Sequence, residues 1–151
     1  MWRDFIREAE RAWLRVFDSG KRTAFLSPDG APLLRLPVRW QSRRNIYNYF
    51  RRWWGPRLAN NMLQNLPIFE RGGSLYVAAY DVPPISLNVS KVEVLREKDD
   101  TVWLRATLTG GFDEPLIIRY VVKKDGLTKH YMITSRSDPQ DFRYCNKRLE
   151  E

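Results

Sequence analysis

The chain has 151 residues with six Trp, seven Tyr and seven Phe, enough to bury one aromatic core, or two small lobes that share one, without staples. A single cysteine, Cys145, excludes an internal disulfide, and a single histidine, His130, leaves a histidine-based zinc site or a Ser-His-Asp triad short of material. The net charge of +8 sits in one third of the chain: between residues 21 and 71, Lys21, Arg22, Arg35, Arg39, Arg43, Arg44, Arg51, Arg52, Arg57 and Arg71 face only Asp29 and Glu70, whereas residues 1–20 and 72–151 balance. Such a local field steers anionic partners.

In chain order, residues 2–17 have apolar side chains at steps of three and four: Trp2, Phe5, Ile6, Ala9, Ala12, Trp13, Val16 and Phe17. Arg3, Asp4, Arg7, Glu8, Arg11 and Arg15 take the other side. The pattern predicts a core-facing amphipathic helix, with Gly20 as a left-handed cap. Segments 23–26 and 33–36 flank Ser27-Pro28-Asp29-Gly30, a type I turn signal that predicts a hairpin, and Pro37 stops its second strand. Ser42 caps a helix expected to run to about Trp54, with Ile46, Phe50 and Trp53 on one side. Gly55-Pro56 breaks the chain and opens a second helix to Leu66, whose buried stripe is Leu58, Met62, Leu63 and Leu66. Segments 68–70 and 75–79 form a short hairpin around Arg71-Gly72-Gly73-Ser74.

Asp81-Val82-Pro83-Pro84 is the best linker candidate, because two prolines stiffen it and forbid regular pairing. It divides a basic helical and hairpin lobe, 1–84, from a meander lobe, 85–137, and a polar tail follows at 138–151, where Phe142 and Tyr144 are the residues able to dock it. The meander is expected to have strands at 87–96, 102–109, 116–123 and 127–134. Val102, Leu104, Ala106 and Leu108 alternate with Trp103, Arg105, Thr107 and Thr109, and Leu116, Ile118, Tyr120 and Val122 alternate with Ile117, Arg119, Val121 and Lys123. A period of two makes one face apolar, and that face needs a cover from the upstream helices. The parity slips near Ser90-Lys91, which predicts a bulge and a curled sheet. The fold class is α+β: helices and hairpins packed on a curled four-stranded antiparallel meander.

Three features carry the functional expectations. Residues 43–54 interleave arginine with aromatics, and the candidate partner-binding residues there are Arg43, Arg44, Arg51, Arg52, Trp54 and, just beyond, Arg57. The run lacks the spacing of a nucleic-acid motif, so a basic face for an acidic protein partner or an anionic polymer is the stronger reading. The outward face of the meander adds Trp103, Arg105 and Arg119, an aromatic and arginine mixture typical of protein interfaces. As the alternative, the chain is a cone-shaped small-molecule-binding protein or enzyme with a pocket between helices and curled sheet, and Tyr47, Asp81, Tyr120 and Tyr131 are its candidate lining, with Tyr49, Glu93 and His130 as further candidates. Nothing in their spacing selects an acid–base pair. By strand alternation His130 falls on the surface. Cys145, beside Asn146-Lys147-Arg148, is an incidental thiol by default. No cofactor or metal is expected.

The run from Tyr49-Phe50 through Leu58-Ala59, Met62-Leu63 and Leu66-Pro67-Ile68-Phe69-Glu70-Arg71-Gly72-Gly73-Ser74-Leu75-Tyr76-Val77-Ala78-Ala79-Tyr80-Asp81, followed by the meander, resembles the IseA family of secreted inhibitors of bacterial D,L-endopeptidases. The likeness covers most of residues 42–134 and departs in the last strand, where the sequence is Gly126-Leu127-Thr128-Lys129-His130-Tyr131-Met132-Ile133. The resemblance implies a non-catalytic binder of the bacterial cell envelope that occludes a cell-wall hydrolase. It carries no functional residue across. It also implies an extracellular location and a leader ahead of Trp2; a cytoplasmic location is the alternative.

Overall fold

The computed structural model describes residues 1–146. It is α+β, with three helices and two separate four-stranded antiparallel sheets. Helix α1, Trp2–Phe17, follows the predicted stripe and buries Ile6, Ala9, Ala12, Trp13, Val16 and Phe17. Its end differs from expectation. The Asp18 N–H donates to the Leu14 carbonyl and the Ser19 N–H to the Val16 carbonyl, and Gly20 is absent from the left-handed glycines. Gly20 is there for room: a Cβ on it would lie 2.5 Å from that of Leu34.

Strands β1, Lys21–Leu26, and β2, Pro32–Arg35, form the hairpin. The Gly30 N–H donates to the Ser27 carbonyl at 2.9 Å, and Gly30 adopts φ 90°, as the turn chemistry requires. A 3₁₀ turn, Val38–Trp40, leads to helix α2, Arg43–Phe50, and then helix α3, Pro56–Asn65, with Pro56 in its first turn. Strands β3, Ile68–Arg71, and β4, Ser74–Ala78, complete the first sheet in the order β1-β2-β4-β3. The second sheet is the meander: β5, Asn88–Lys98, β6, Thr101–Thr109, β7, Leu116–Lys124, and β8, Tyr131–Arg136. Its register slips between Val89 and Lys91, where the parity of the sequence slips, and again between Val94 and Arg96.

Two elements are shorter or later than the sequence suggests. The helix expected to reach Trp54 stops at Phe50, because the following turn leaves the axis to meet β8. The Ile133 N–H donates to the Trp53 carbonyl at 2.7 Å, and the Gly55 N–H to the Ile133 carbonyl at 2.8 Å. The last strand starts at Tyr131 rather than 127, since Asp125 to His130 closes into a loop with Lys129 at φ 58° and Leu127 in solvent.

The core is continuous across the molecule. The inner face of the meander, with Leu104, Ala106, Leu108, Ile118, Tyr120 and Val122, is buried with Ile6, Ala9 and Trp13 of α1 and with Leu36, Leu75 and Val77 near the first sheet. Each large aliphatic side chain among them, such as Leu104 or Ile118, contributes roughly 1.5–3 kcal/mol on burial. Two indoles tie the helices together by their N–H groups: Trp13 to the Met62 carbonyl at 3.2 Å and Trp54 to the Ala9 carbonyl at 3.0 Å.

Candidate functional site

The 3₁₀ turn and α2 are fixed before they meet any partner. Gln41 donates through Nε2 to the Leu36 and Leu75 carbonyls, at 2.7 and 3.0 Å, and accepts from the Leu75 N–H at 2.8 Å. That clamps the turn to β4. Ser42 then caps α2 by accepting from the Asn45 N–H. Trp40 and Tyr49 are thereby held with ring centroids 4.6 Å apart. The Arg39 guanidinium lies 4.9 Å from the Trp40 ring and the Arg52 guanidinium 5.4 Å from the Tyr49 ring, both within cation–π range. Arg39, Trp40, Asn45, Asn48, Tyr49 and Arg52 line a depression of about 400 Å³. Asn45 and Asn48 share a helix face, three residues apart. The Trp40 indole N–H is buried and has no hydrogen-bond partner among the described residues.

The arginines of the expected face divide by exposure. Arg43, Arg44, Arg52 and Arg57 are exposed. Arg51 is half-buried, and its Nη1 donates to the Trp54 carbonyl at 3.3 Å. Arg57 donates to the Thr134 carbonyl at 3.4 Å. Trp54 is a correction: it is fully buried, because the turn toward β8 rotates it inward against Tyr144, and it takes no part in a surface. Among the described residues, none of the ten basic side chains between 21 and 71 forms an ion pair; the cations that do are Arg7, Arg15, Lys91, Arg105, Arg136 and Arg143. Asp29, one of the two acids in that stretch, is occupied by the Tyr80 hydroxyl and by Ser27.

Trp103, Arg105 and Arg119 do share the outer face of the meander. Arg105 and Arg119 stand directly opposite each other, an arrangement that is unfavourable for like charges. Arg105 is relieved by Glu93 at 2.5 Å. Hydrogen bonds from Lys91 and Arg105 hold the Glu93 carboxyl below its ordinary value. The Arg96 guanidinium covers Trp103 at 5.2 Å.

The alternative pocket residues are not brought together. Tyr47 is half-buried on α2, Asp81 is exposed in the link, and Tyr131 packs edge-on against Trp2 at the start of β8. Tyr120 is interior, and its hydroxyl donates to Glu10 at 3.0 Å. His130 is exposed, with Nε2 at 2.6 Å from the Arg52 carbonyl. Among the described residues no cluster of His, Cys, Asp and Glu is able to hold a metal ion. Cys145 is half-buried, and its expected neighbours Lys147 and Arg148 lie outside the described residues.

Sequence reasoning missed a charged cluster in the interior. Glu10 is fully buried and binds Arg136 through both oxygens and Arg143 through Oε1 at 3.1 Å. Asp141 binds Arg143 at 2.9 Å and Arg136 at 3.4 Å. Two acids and two bases therefore cancel. Burial raises the Glu10 carboxyl, but Arg136 and Arg143 outweigh that and hold it below its ordinary value. Burial drives the Tyr120 hydroxyl well up, reinforced by the charge of Glu10. The signal was present: Glu10 follows Ile6 by four and precedes Trp13 by three, so it lies inside the apolar stripe, where a charge demands a partner. The cluster docks residues 141–144 and leaves no unpaired carboxylate for acid–base chemistry.

No helix among the described residues is long and apolar enough to cross a membrane. No protein-family model matches the chain, and no curated protein matches it.

Proposed function

We propose that this chain is a non-catalytic binding module whose basic face docks an acidic protein surface. Its setting is the bacterial cell envelope, and the partner is a peptidoglycan D,L-endopeptidase that it occludes. One observation carries the reading: among the described residues the ten cations between residues 21 and 71 have no carboxylate partner, while the cations elsewhere include several that do. Uncompensated arginine favours fast, salt-sensitive association with acidic surfaces. Arg43 and Arg44 at the start of α2, Arg52 in the turn after it and Arg57 on α3 are the exposed members. The same charge suits retention by an anionic wall polymer.

The test is inhibition of a purified D,L-endopeptidase acting on peptidoglycan. The wild-type chain should inhibit, and the Arg44→Glu, Arg52→Glu, Arg57→Glu triple variant should lose at least about tenfold in potency, the equivalent of about 1.4 kcal/mol. Full activity of the hydrolase at saturating wild-type protein sinks the reading.

A further inference from the structure

We infer that the depression lined by Arg39, Trp40, Asn45, Asn48, Tyr49 and Arg52 is a small-ligand site that takes the phosphate ester of a hydroxylated compound. This goes beyond the protein-docking face and stands without it. Three observations converge. The two guanidinium groups lining it each lie within cation–π range of an aromatic ring, and both are exposed and able to donate to an oxyanion. Two side-chain amides line the same depression, and such groups bind hydroxyls by both donating and accepting. The depression, about 400 Å³ and open to solvent, has room for a small ester as well as for a bare ion. The backbone that carries these side chains is held in advance by Gln41 and Ser42. Among the described residues no acidic side chain lines the depression.

A phosphate monoester carries close to two negative charges at neutral pH. That charge matches two arginines, and a single carboxylate matches them less well. The hydroxyls then discriminate the ester from inorganic phosphate through Asn45 and Asn48.

The experiment is an NMR titration of the full chain with glycerol 3-phosphate, inorganic phosphate, glucuronate and glycerol in turn. Glycerol 3-phosphate should produce saturable shifts in the Asn45 and Asn48 side-chain amides and the Trp40 indole N–H. Arg39→Gln and Arg52→Gln should each weaken it at least tenfold, and Asn48→Asp should abolish it. Arg22→Gln, an exposed arginine on β1, should leave it unchanged. Glycerol should not bind, and inorganic phosphate and glucuronate should bind more weakly. Unsaturating shifts spread over the exposed arginines overturn the site. Equal binding of inorganic phosphate or glucuronate overturns the ligand class. The titration contains no hydrolase, so its failure leaves the inhibitor reading standing, and failure of the inhibition assay leaves this one standing. All four substitutions are at exposed positions, and an unchanged spectrum outside the site verifies folding.

Discussion

Arg136, on the last strand, grips Glu10, on the first helix, with two parallel bonds: Nε to Oε2 and Nη2 to Oε1, each at 2.9 Å. The fork geometry is the strongest form of such a pair. Both side chains are out of water, so the balance of the cluster is sensitive to losing one member.

Glu10→Gln should therefore cost about 3–5 kcal/mol, the usual result of leaving a buried partner uncompensated. Adding Arg136→Met restores neutrality and should recover part of that loss. Urea denaturation of the three proteins gives the comparison. A single variant as stable as the wild type refutes the account.

The same cluster sets the acid limb of stability. Opposing the effect of burial, the arginines hold Glu10 and Asp141 below their ordinary carboxylate values. A depressed folded pKa adds stability that is complete above the unfolded value, about 4 for these groups, and is lost as pH falls through the folded one. Urea midpoints measured from neutral down to about pH 2 should fall in that window. The Glu10→Gln variant should fall less steeply there.

Removing residues 138–151 should unfold the protein or lower its melting temperature sharply. The segment carries Arg143 and Tyr144, both buried, and Tyr144 covers Trp54 with ring centroids 4.6 Å apart. Its loss leaves Glu10 with one arginine and bares an indole. Thermal melts of the shortened and complete chains decide this. Equal melting temperatures would show that the segment is dispensable.

Gly20→Ala should cost about 1–3 kcal/mol by overpacking against Leu34, since the added methyl would sit 2.5 Å from its Cβ. Gly126→Ala is the control, because a Cβ there meets nothing within 4 Å. Denaturation midpoints separate the two substitutions.

Local pattern made most of the scaffold readable. The stripe of α1 and the alternation of β6 and β7 are short-range signals, and burial follows them residue by residue. What escaped was long-range. Trp54 continues the helical spacing of Phe50 and Trp53, and only the pairing of the turn with Ile133 takes it inside. Leu127 reads as a strand residue, yet the turn chemistry of Lys124-Asp125-Gly126 extends through it. The arginines of α2 were visible as charge. The depression was not, since Arg39 and Trp40 come from a 3₁₀ turn whose position depends on the Gln41 contacts with β4.

The pairing of residue 10 with residues 136 and 143 also has a consequence for biosynthesis. The first helix leaves the ribosome with a carboxylate whose counterions follow 126 and 133 residues downstream. The native state closes only once both arginines have emerged, so products that stop short of them leave a buried carboxylate without its counterions and are natural substrates of quality-control proteases.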